Sequence, residues 1–438
     1  MDQHLIPNTP PPARGLLQLL SNTLVLQQTA PYLPISSKLA LAATSKSFRD
    51  LVYSTKDVFR HCDLGTIKSA LNGTSDSISP GWIDIEDREN WTRENFWARP
   101  VSVIFQRLET RHVLQNVHTL VLDGCYVGLN VIHQIIIGDK LNVRILSIRQ
   151  VRELDYWKLQ EALRYAVRPT RPVNTPRLKG LYVFGVMDQN RKRKNIYLSE
   201  TYSSANRNIS DQCFLLASPH GNEWFGDDGL RYTALLNHEW ANTIEECHGI
   251  ISFDLPLCRG PRHAHAKATS RAFPLDIATE PLTGCSGCNA APEGFLTLNR
   301  SFDDLPLLAP IPLQCSTVKA AKTPAGVGSG PEKKLLMRCG NCLRDRYCHK
   351  CFKWWCEECY QPGLSEPQAE NLEDGTLYSG KLGKYGATRD CFECGYRCEE
   401  CMPKTQMICV ICGGGYCLVH NEGSNITTAS RHAINACR

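Results

Sequence analysis

The chain has 438 residues, 22 of them cysteine, and a formal net charge of +5. This length predicts two to four domains, and the modest charge gives no general attraction to nucleic acid. The sequence begins without an apolar segment behind a basic start, and no apolar run reaches the roughly 18 residues of a membrane helix. We therefore expect a protein of a reducing compartment, cytoplasmic or nuclear, with neither a signal peptide nor a membrane span.

The first residues are proline-rich and predict a flexible lead-in, after which two helices are expected. The first lies near residues 24–30, and Leu33-Pro34 ends it because proline disfavours helix in the residue before it. The second begins at Ser36 or Ser37. Some forty residues cannot bury the apolar surface of this pair alone, so another surface has to cover it. The apolar residues of the second helix recur near helical spacing: Leu39, Leu41, Ala42, Phe48 and Leu51.

The sequence of this segment, YLPISSKLALAATSKSFRDLV followed by DVFRHCDL, resembles an F-box. The family's opening Leu-Pro-x-Glu is missing, and its usual Cys-Arg in the second helix is Ser45-Lys46 here. The resemblance implies that the segment binds the Skp adaptor of a cullin-RING ubiquitin ligase. The alternative is an ordinary helical hairpin packed on its own domain. The residues expected to contact the adaptor are Leu33, Pro34, Leu39, Leu41, Phe48 and Leu51.

The middle of the chain repeats one pattern, L-x-x-L-x-L-x-x-C in its first copy, at offsets of 26, 35 and 72 residues. Helical stretches at 128–138 and 155–167 separate the first copies, and an insertion at 187–248 lengthens the last offset. A strand followed by a helix is typical of leucine-rich repeats, which stack into a curved parallel sheet; an unrelated α/β domain is the alternative. Cys125 and Cys258 are interpreted as small buried apolar residues. The four copies are Val117, Leu120, Leu122 and Cys125; Val143, Leu146, Ile148 and Val151; Leu178, Leu181, Val183 and Val186; and Ile250, Phe253, Leu255 and Cys258.

The carboxy-terminal part is organised around cysteine pairs of the form C-x-x-C. Two thiolates with two residues between them fit one metal ion, and two such pairs complete the tetrahedral site of structural zinc. Seven pairs supply fourteen ligands, and an eighth pair upstream brings the total to sixteen, which predicts about four zinc ions. The spacing leaves open whether the pairs combine in a cross-brace or in linear order. The predicted ligands are Cys285, Cys288, Cys339, Cys342, Cys348, Cys351, Cys356, Cys359, Cys391, Cys394, Cys398, Cys401, Cys409, Cys412, Cys417 and His420.

Other interpretations compete with a zinc array. One alternative is a disulfide framework, which would belong to an oxidising compartment. A second concerns Cys285-Cys288 alone: a long proline-rich gap separates this pair from the others, so it could be a redox pair or a chance occurrence of the motif. Cys315 and His349 are spare candidate ligands. Three aromatic residues between the pairs are expected to fill the small core of the module: Phe352, Trp354 and Trp355.

Together the F-box-like helices, the degenerate repeats and the cysteine-rich tail resemble a group of fungal F-box proteins. The resemblance implies a non-catalytic substrate receptor of an SCF-type cullin-RING ligase, which binds an unidentified protein target through the repeats or the zinc tail. A RING-type ubiquitin ligase acting through the tail is one alternative, and a nucleic-acid-binding zinc protein is another. The balance of 14 Lys+Arg against 13 Asp+Glu over Pro331–Arg438, a net of +1, argues against the last.

The expected fold class is therefore α+β and multidomain: F-box helices, a short irregular leucine-rich-repeat-like α/β solenoid, and a zinc-binding module. The expected boundaries are a lead-in at 1–19, F-box-like helices at 20–65, the repeat domain at 66–275, a linker with one C-x-x-C at 276–335, the zinc module at 336–425 and a tail at 426–438.

Overall fold

The structure, a computed structural model, divides into two compact units. Of the described residues, the first unit contains those up to Leu255 together with 305–323, and the second contains those from Pro256 to 289 and from 336 onwards. The structure describes residues 15–67, 70, 93–152, 154–185, 239–264, 274–282, 284–289, 305–323, 336–360, 386–391, 395–401, 406–408 and 415–417.

Four short helices open the first unit, and their ends follow local capping chemistry. The Asn22 side chain accepts hydrogen bonds from the first backbone N–H groups of α2, and Ser45 accepts one from Phe48 N at 3.2 Å in α4. The single helix expected from Ser36 or Ser37 is thus wrong, because the extended backbone of Ser45 (φ −157°) divides it in two. The bounds are α1 Leu16–Leu20, α2 Thr23–Thr29, α3 Ile35–Thr44 and α4 Lys46–Ser54, with 3₁₀ turns at Ala30–Tyr32 and Lys56–Phe59.

A five-stranded parallel sheet follows, and its strands lie in chain order from β1 to β5. Parallel neighbours need crossover connections, and helices lie between β2 and β3 and between β3 and β4. All four copies of the sequence pattern supply a strand, and β1 comes from the end of the amino-terminal segment, 20–65, that was expected to be helical. The bounds are β1 His61–Asp63, β2 Thr119–Val121, β3 Ile145–Ser147, β4 Gly180–Tyr182 and β5 Ser252–Phe253.

Two helices between the strands of this unit lie where the sequence predicts them. The stretches expected at 128–138 and 155–167 are observed as α6 and α7, and the Asp155 side chain caps α7 by accepting from Trp157 N at 3.0 Å. No helix among the described residues has both the length and the apolar character needed to cross a bilayer. The bounds are α5 Arg93–Thr110, α6 Leu129–Ile136, α7 Tyr156–Val167 and α8 Glu239–Glu246, with a 3₁₀ turn at Leu114–Asn116.

One row of side chains runs across the sheet and forms the centre of this core. The register aligns one residue of each strand with the next, and every member is at most 3% exposed. Burying a leucine contributes about 1.5–3 kcal/mol, so the row is a main source of stability. We call it the apolar row: Cys62, Leu120, Leu146, Leu181 and Phe253.

Residues 305–323, inside the predicted linker, pack on the same core. Leu307 N donates to Phe253 O at 2.7 Å, and the Leu307 side chain is buried beside Ile145 and Tyr182. The segment ends in α10, Val318–Lys322. Part of the segment predicted to connect two domains therefore belongs to the first unit.

Among its described residues, the second unit has only short helices and strands. Its strands form antiparallel pairs, β6 with β7, β8 with β9, and β10 with β11. The strands bring cysteine pairs to their ends: β6 leads to Cys285 and β7 leads to Cys339. The bounds are α9 Pro261–Ala264, β6 Glu280–Leu282, β7 Leu336–Arg338, α11 Gly340–Leu343, β8 Ala387–Cys391, β9 Gly395–Cys398, β10 Gln406–Ile408 and β11 Gly415–Cys417.

Candidate metal centre

Three clusters of four cysteine or histidine side chains lie in the second unit. In each cluster the four potential ligand atoms lie within 4.8 Å of one another. Each cluster joins two pairs that are distant in sequence. Site A comprises Cys258, His263, Cys339 and Cys342; site B comprises Cys285, Cys288, Cys356 and Cys359; site C comprises Cys348, Cys351, Cys398 and Cys401.

Site A has three thiols and one imidazole. His263 Nε2 lies 3.1 Å from Cys339 Sγ, and Cys339 N donates to Cys258 Sγ at 3.2 Å. The Cys339 side chain caps α11 and accepts from Cys342 N at 3.4 Å. A Cβ on Gly260 would lie 2.5 Å from Cys342 Sγ, so the backbone between the first two ligands approaches the fourth too closely for any side chain.

Site B consists of four thiols. Cys288 Sγ lies 3.9 Å from Cys356 Sγ, and Cys285 Sγ accepts from Gly287 N at 3.3 Å and from Cys356 N at 3.2 Å. Burial raises the pKa of Cys285, but the backbone N–H donors outweigh burial and lower this pKa to about 7. Burial and hydrogen bonds to neighbouring thiols raise the pKa of Cys359. A second negative charge beside Cys285 is therefore unfavourable unless a cation lies among the four sulfur atoms.

Site C also consists of four thiols. Cys351 Sγ lies 3.6 Å from Cys398 Sγ, and Cys401 N donates to Cys398 O at 2.9 Å in the turn that carries the second pair. Burial raises the pKa of Cys348, while backbone N–H groups, first that of Cys351, lower it to about 7. As in site B, backbone N–H groups stabilise the ionised form of one thiol.

The geometry fits zinc and does not fit disulfides. A tetrahedral site with Zn–S bonds of about 2.3 Å places sulfur atoms ~3.8 Å apart, close to the 3.9 Å and 3.6 Å measured in sites B and C. A disulfide would need about 2.05 Å, and the cysteines of all three sites are free thiols. Zinc would be held by four ligands in each site, a closed set that leaves no position for a substrate. The described residues thus support about three structural zinc ions.

The sites interleave along the chain. The first pair of site B lies between the two pairs of site A, and the second pair of site B lies between the two pairs of site C. This is a cross-brace arrangement, one of the two orders that the spacing allows. Because each loop between paired ligands contains a ligand pair of a neighbouring site, the three sites form one continuous unit.

Charged side chains join sites A and B. Glu357, between the second-pair ligands of site B, lies 2.6 Å from Arg262 Nε and 3.3 Å from Arg346 Nη2. The Arg346 side chain is fully buried and also donates to the carbonyl oxygens of Cys342 and Trp355. Polar partners around a metal site orient its ligands, and this network holds the turns of the two sites together.

Aromatic side chains fill the space beside sites B and C. Trp354 is fully buried and Trp355 is 6% exposed, both packed with ligands of these sites. The expectation that they form core is confirmed, whereas Phe352, at 39% exposed and with a φ of 64°, lies at the surface. A cluster of this size would bury too little apolar surface to fold without metal.

Ten of the sixteen predicted ligands lie in the three clusters, and the remaining members of the clusters were not predicted. Cys258 is not simply a buried apolar residue, because its Sγ belongs to site A with His263, which the prediction missed. Cys258 and His263 are five positions apart and so do not have the C-x-x-C spacing. The one signal in the sequence was that Cys339 and Cys342 need two further ligands to complete a tetrahedral site. Cys315 and His349 join none of the three clusters. Six predicted ligands have side chains outside the described residues, so the fourth zinc site stays a prediction: Cys391, Cys394, Cys409, Cys412, Cys417 and His420.

The residues predicted to contact an adaptor lie on a second candidate surface, on the helices of the first unit. None of the six is buried: Leu33 and Pro34 are exposed, and Leu39, Leu41, Phe48 and Leu51 are half-buried. The buried positions of the same helices are others, such as Ile35, Ala42 and Val52.

Comparison of the chain with protein-family models, with curated proteins and with solved structures gave no match.

Proposed function

We propose that this protein is a substrate receptor of an SCF-type cullin-RING ubiquitin ligase, acting in the cytoplasm or the nucleus. In this proposal the amino-terminal helices bind a Skp-type adaptor, and the parallel sheet or the zinc sites bind a protein target. The receptor performs no chemistry itself; the zinc ions maintain the fold of the second unit.

The observation that carries the proposal is the exposed apolar surface of α1 to α4. Leu24 is 69% and Tyr32 is 62% exposed, two of the six predicted contact residues are exposed, and the other four are half-buried. Several large apolar side chains exposed within one short segment are a feature of interaction sites. Such a surface, directly before the first strand of a sheet, agrees with the F-box resemblance in its position and its chemistry.

The sheet supports the second half of the proposal. Its strand order, parallel pairing and apolar row agree with stacked repeats of the leucine-rich type. Repeats of this type offer an extended surface to a protein partner. We therefore interpret the first unit as an F-box followed by a short repeat array.

Co-purification with a Skp-type adaptor tests the proposal. Leu41→Asp should abolish the complex, since it places a charge in an apolar interface, and should leave zinc content unchanged because the three described clusters lie in the second unit. The matched control is Val173→Asp, which changes an 89% exposed residue far from these helices in sequence. Adaptor binding by the Leu41→Asp variant equal to that of Val173→Asp would rule the proposal out.

The interleaved ligand pairs favour a second candidate, a RING-type ubiquitin ligase. RING domains share the cross-brace order that relates sites A and B, although the closed zinc sites would serve only as a scaffold. In that case the exposed Phe352 beside site C would be a candidate contact for a conjugating enzyme.

Ubiquitylation assays on the full chain separate the two candidates. A receptor should form ubiquitin chains only when adaptor and cullin complex are added. A RING-type ligase should ubiquitylate itself with conjugating enzyme alone, and should lose this activity when Cys339 and Cys342 are replaced by serine. Autoubiquitylation of the second kind would overturn the receptor proposal.

A further inference from the structure

An open groove of about 430 Å³ lies beside the predicted adaptor surface. Leu39, Ala42 and Ala43 of α3 provide apolar lining, and Arg49 and Tyr53 of α4 also line the groove. The remaining lining residue, Arg111, follows α5 and lies outside the F-box-like segment. The volume of the groove is at the lower end of the roughly 300–1,000 Å³ of ligand clefts. The groove is therefore large enough for a few residues of a partner.

The charges in this groove have one sign. Two of its lining residues are arginines and none is acidic. Arg111 Nη1 donates to Tyr53 Oη at 3.2 Å, and among the described residues neither Arg49 nor Arg111 forms an ion pair with a carboxylate. Guanidinium groups bind carboxylates through paired, charge-assisted hydrogen bonds. The chemistry complementary to this groove is therefore a carboxylate next to an aliphatic group.

We propose that an acidic segment of the adaptor docks in this groove. Its carboxylates pair with Arg49 and Arg111, and an aliphatic side chain lies against Ala42 and Ala43. This inference rests on the proposed function, because Leu39 belongs both to the groove and to the predicted adaptor contacts. It extends the interface beyond the F-box-like helices to Arg111, a position that the resemblance does not include.

An adaptor with an acidic segment satisfies both properties of the groove, whereas nucleic acid satisfies only one. Phosphates would pair with the arginines, but the single aromatic ring of the lining, Tyr53, is already stacked on Phe59 with ring centroids 6.0 Å apart, and the alanine and leucine side chains offer no further ring on which bases could stack. Complementary charges at the rim of an interface act mainly on the association rate and make it depend on salt. The proposal thus predicts an electrostatic contribution to adaptor binding that belongs to these two arginines.

The test measures binding of the full chain to a purified Skp-type adaptor at 50 mM and 300 mM NaCl. The double variant R49E/R111E should bind about tenfold more weakly at low salt, with a smaller difference at high salt. R49K/R111K, which keeps the charge but loses the paired hydrogen bonds, should lie between this variant and the natural chain. The matched control is K46E/K56E, the same charge reversal at two exposed lysines that do not line the groove.

Each outcome decides the inference. A loss confined to R49E/R111E, with thermal unfolding unchanged, supports it. Equal binding by R49E/R111E and K46E/K56E, together with loss of binding in Leu41→Asp, would reject the groove and leave the proposed function intact. Unchanged adaptor binding in both Leu41→Asp and R49E/R111E would reject the proposed function and the groove with it. Binding of a labelled single-stranded RNA that R49E/R111E abolishes, with adaptor binding unaffected, would assign the groove to nucleic acid instead.

Discussion

The two units of this protein use different means to hold a chain in place. In the first unit, the apolar row of one residue per strand aligns five strands, and the energy comes from removing hydrocarbon from water. In the second unit, ligand clusters bring together pairs separated by up to about eighty residues of sequence. The comparison indicates that clusters of metal ligands hold the chain together where it has too few apolar residues to form a core.

The difference also determines how far the structural effect of a single substitution extends. Deleting one side chain of the apolar row leaves a cavity whose neighbours still exclude water. Deleting one zinc ligand releases the ion and with it both chain segments that the ion joins. Because sites A, B and C interleave, the second unit should respond to local damage more extensively than the first.

The largest effect is expected when one ligand of the interleaved sites is removed. Cys356→Ser should remove at least one zinc ion per chain and unfold site B, since structural zinc contributes roughly 10 kcal/mol or more in small modules. Elemental analysis and limited proteolysis measure the two effects. Cys315→Ser is the matched control, because Cys315 belongs to none of the three clusters and should keep full zinc content. Equal zinc content in the two variants would refute site B.

A smaller effect is expected in the apolar row. Leu146→Ala should lower the free energy of unfolding of the first unit by about 2–5 kcal/mol, the usual cost of truncating a buried leucine. Zinc content should not change. Chemical denaturation, with Val173→Ala as an exposed control, measures the difference. A cost equal to that of the control would show that the row does not form this core.

Two glycines inside C-x-x-C pairs offer a matched comparison in the second unit. A Cβ on Gly287 would lie 2.8 Å from Cys359 Cβ, whereas a Cβ on Gly340 would have no neighbour within 4 Å. Gly287→Ala should therefore cost about 1–3 kcal/mol through overpacking and weaken zinc retention during competition with a chelator. Gly340→Ala, in α11, should be neutral or slightly stabilising. The reverse order of the two variants would contradict the geometry of sites A and B.

The smallest expected effect concerns the charges between sites A and B. Glu357→Gln removes the carboxylate from Arg262 and Arg346 while keeping the size of the side chain. We expect a loss of about 1 kcal/mol in the second unit, since Glu357 is partly exposed and its pairs are screened by solvent. Thermal unfolding at low and high salt measures this loss, which should shrink as salt rises. A salt-independent loss would assign the effect to packing.

Sequence reasoning succeeded where one residue type dictates one geometry. The positions Leu120, Leu146 and Leu181 predicted strands because period-two burial needs apolar residues at alternate sites, and the structure aligns all three. The ten C-x-x-C ligands of sites A, B and C were predictable because few other structures use that spacing. Ser45 was harder: a serine in a leucine-rich stretch is compatible with a continuing helix or with a new cap.

The rest could not be predicted because it depends on which distant segments meet. Cys125 and Cys258 occupy the same place in the repeat pattern, yet only Cys258 joins a metal cluster, since His263 follows it and Cys339 meets it in space. Spacing also left the pairing of sites open, and the fold decides for interleaving. Arg111, which also lines the groove, lies 62 residues beyond Arg49 in sequence, so no local pattern indicated it.

Removal of zinc while hydrogen exchange is monitored tests most directly whether the two units are held by different forces. All three described clusters belong to the second unit, and exchange protection reports the stability of each segment separately. After chelation, peptides covering 274–289 and 336–360 should lose protection, while peptides covering β2, β3 and β4 should keep theirs. Protection retained at 336–360 without zinc, or lost in β2 to β4, would contradict this account.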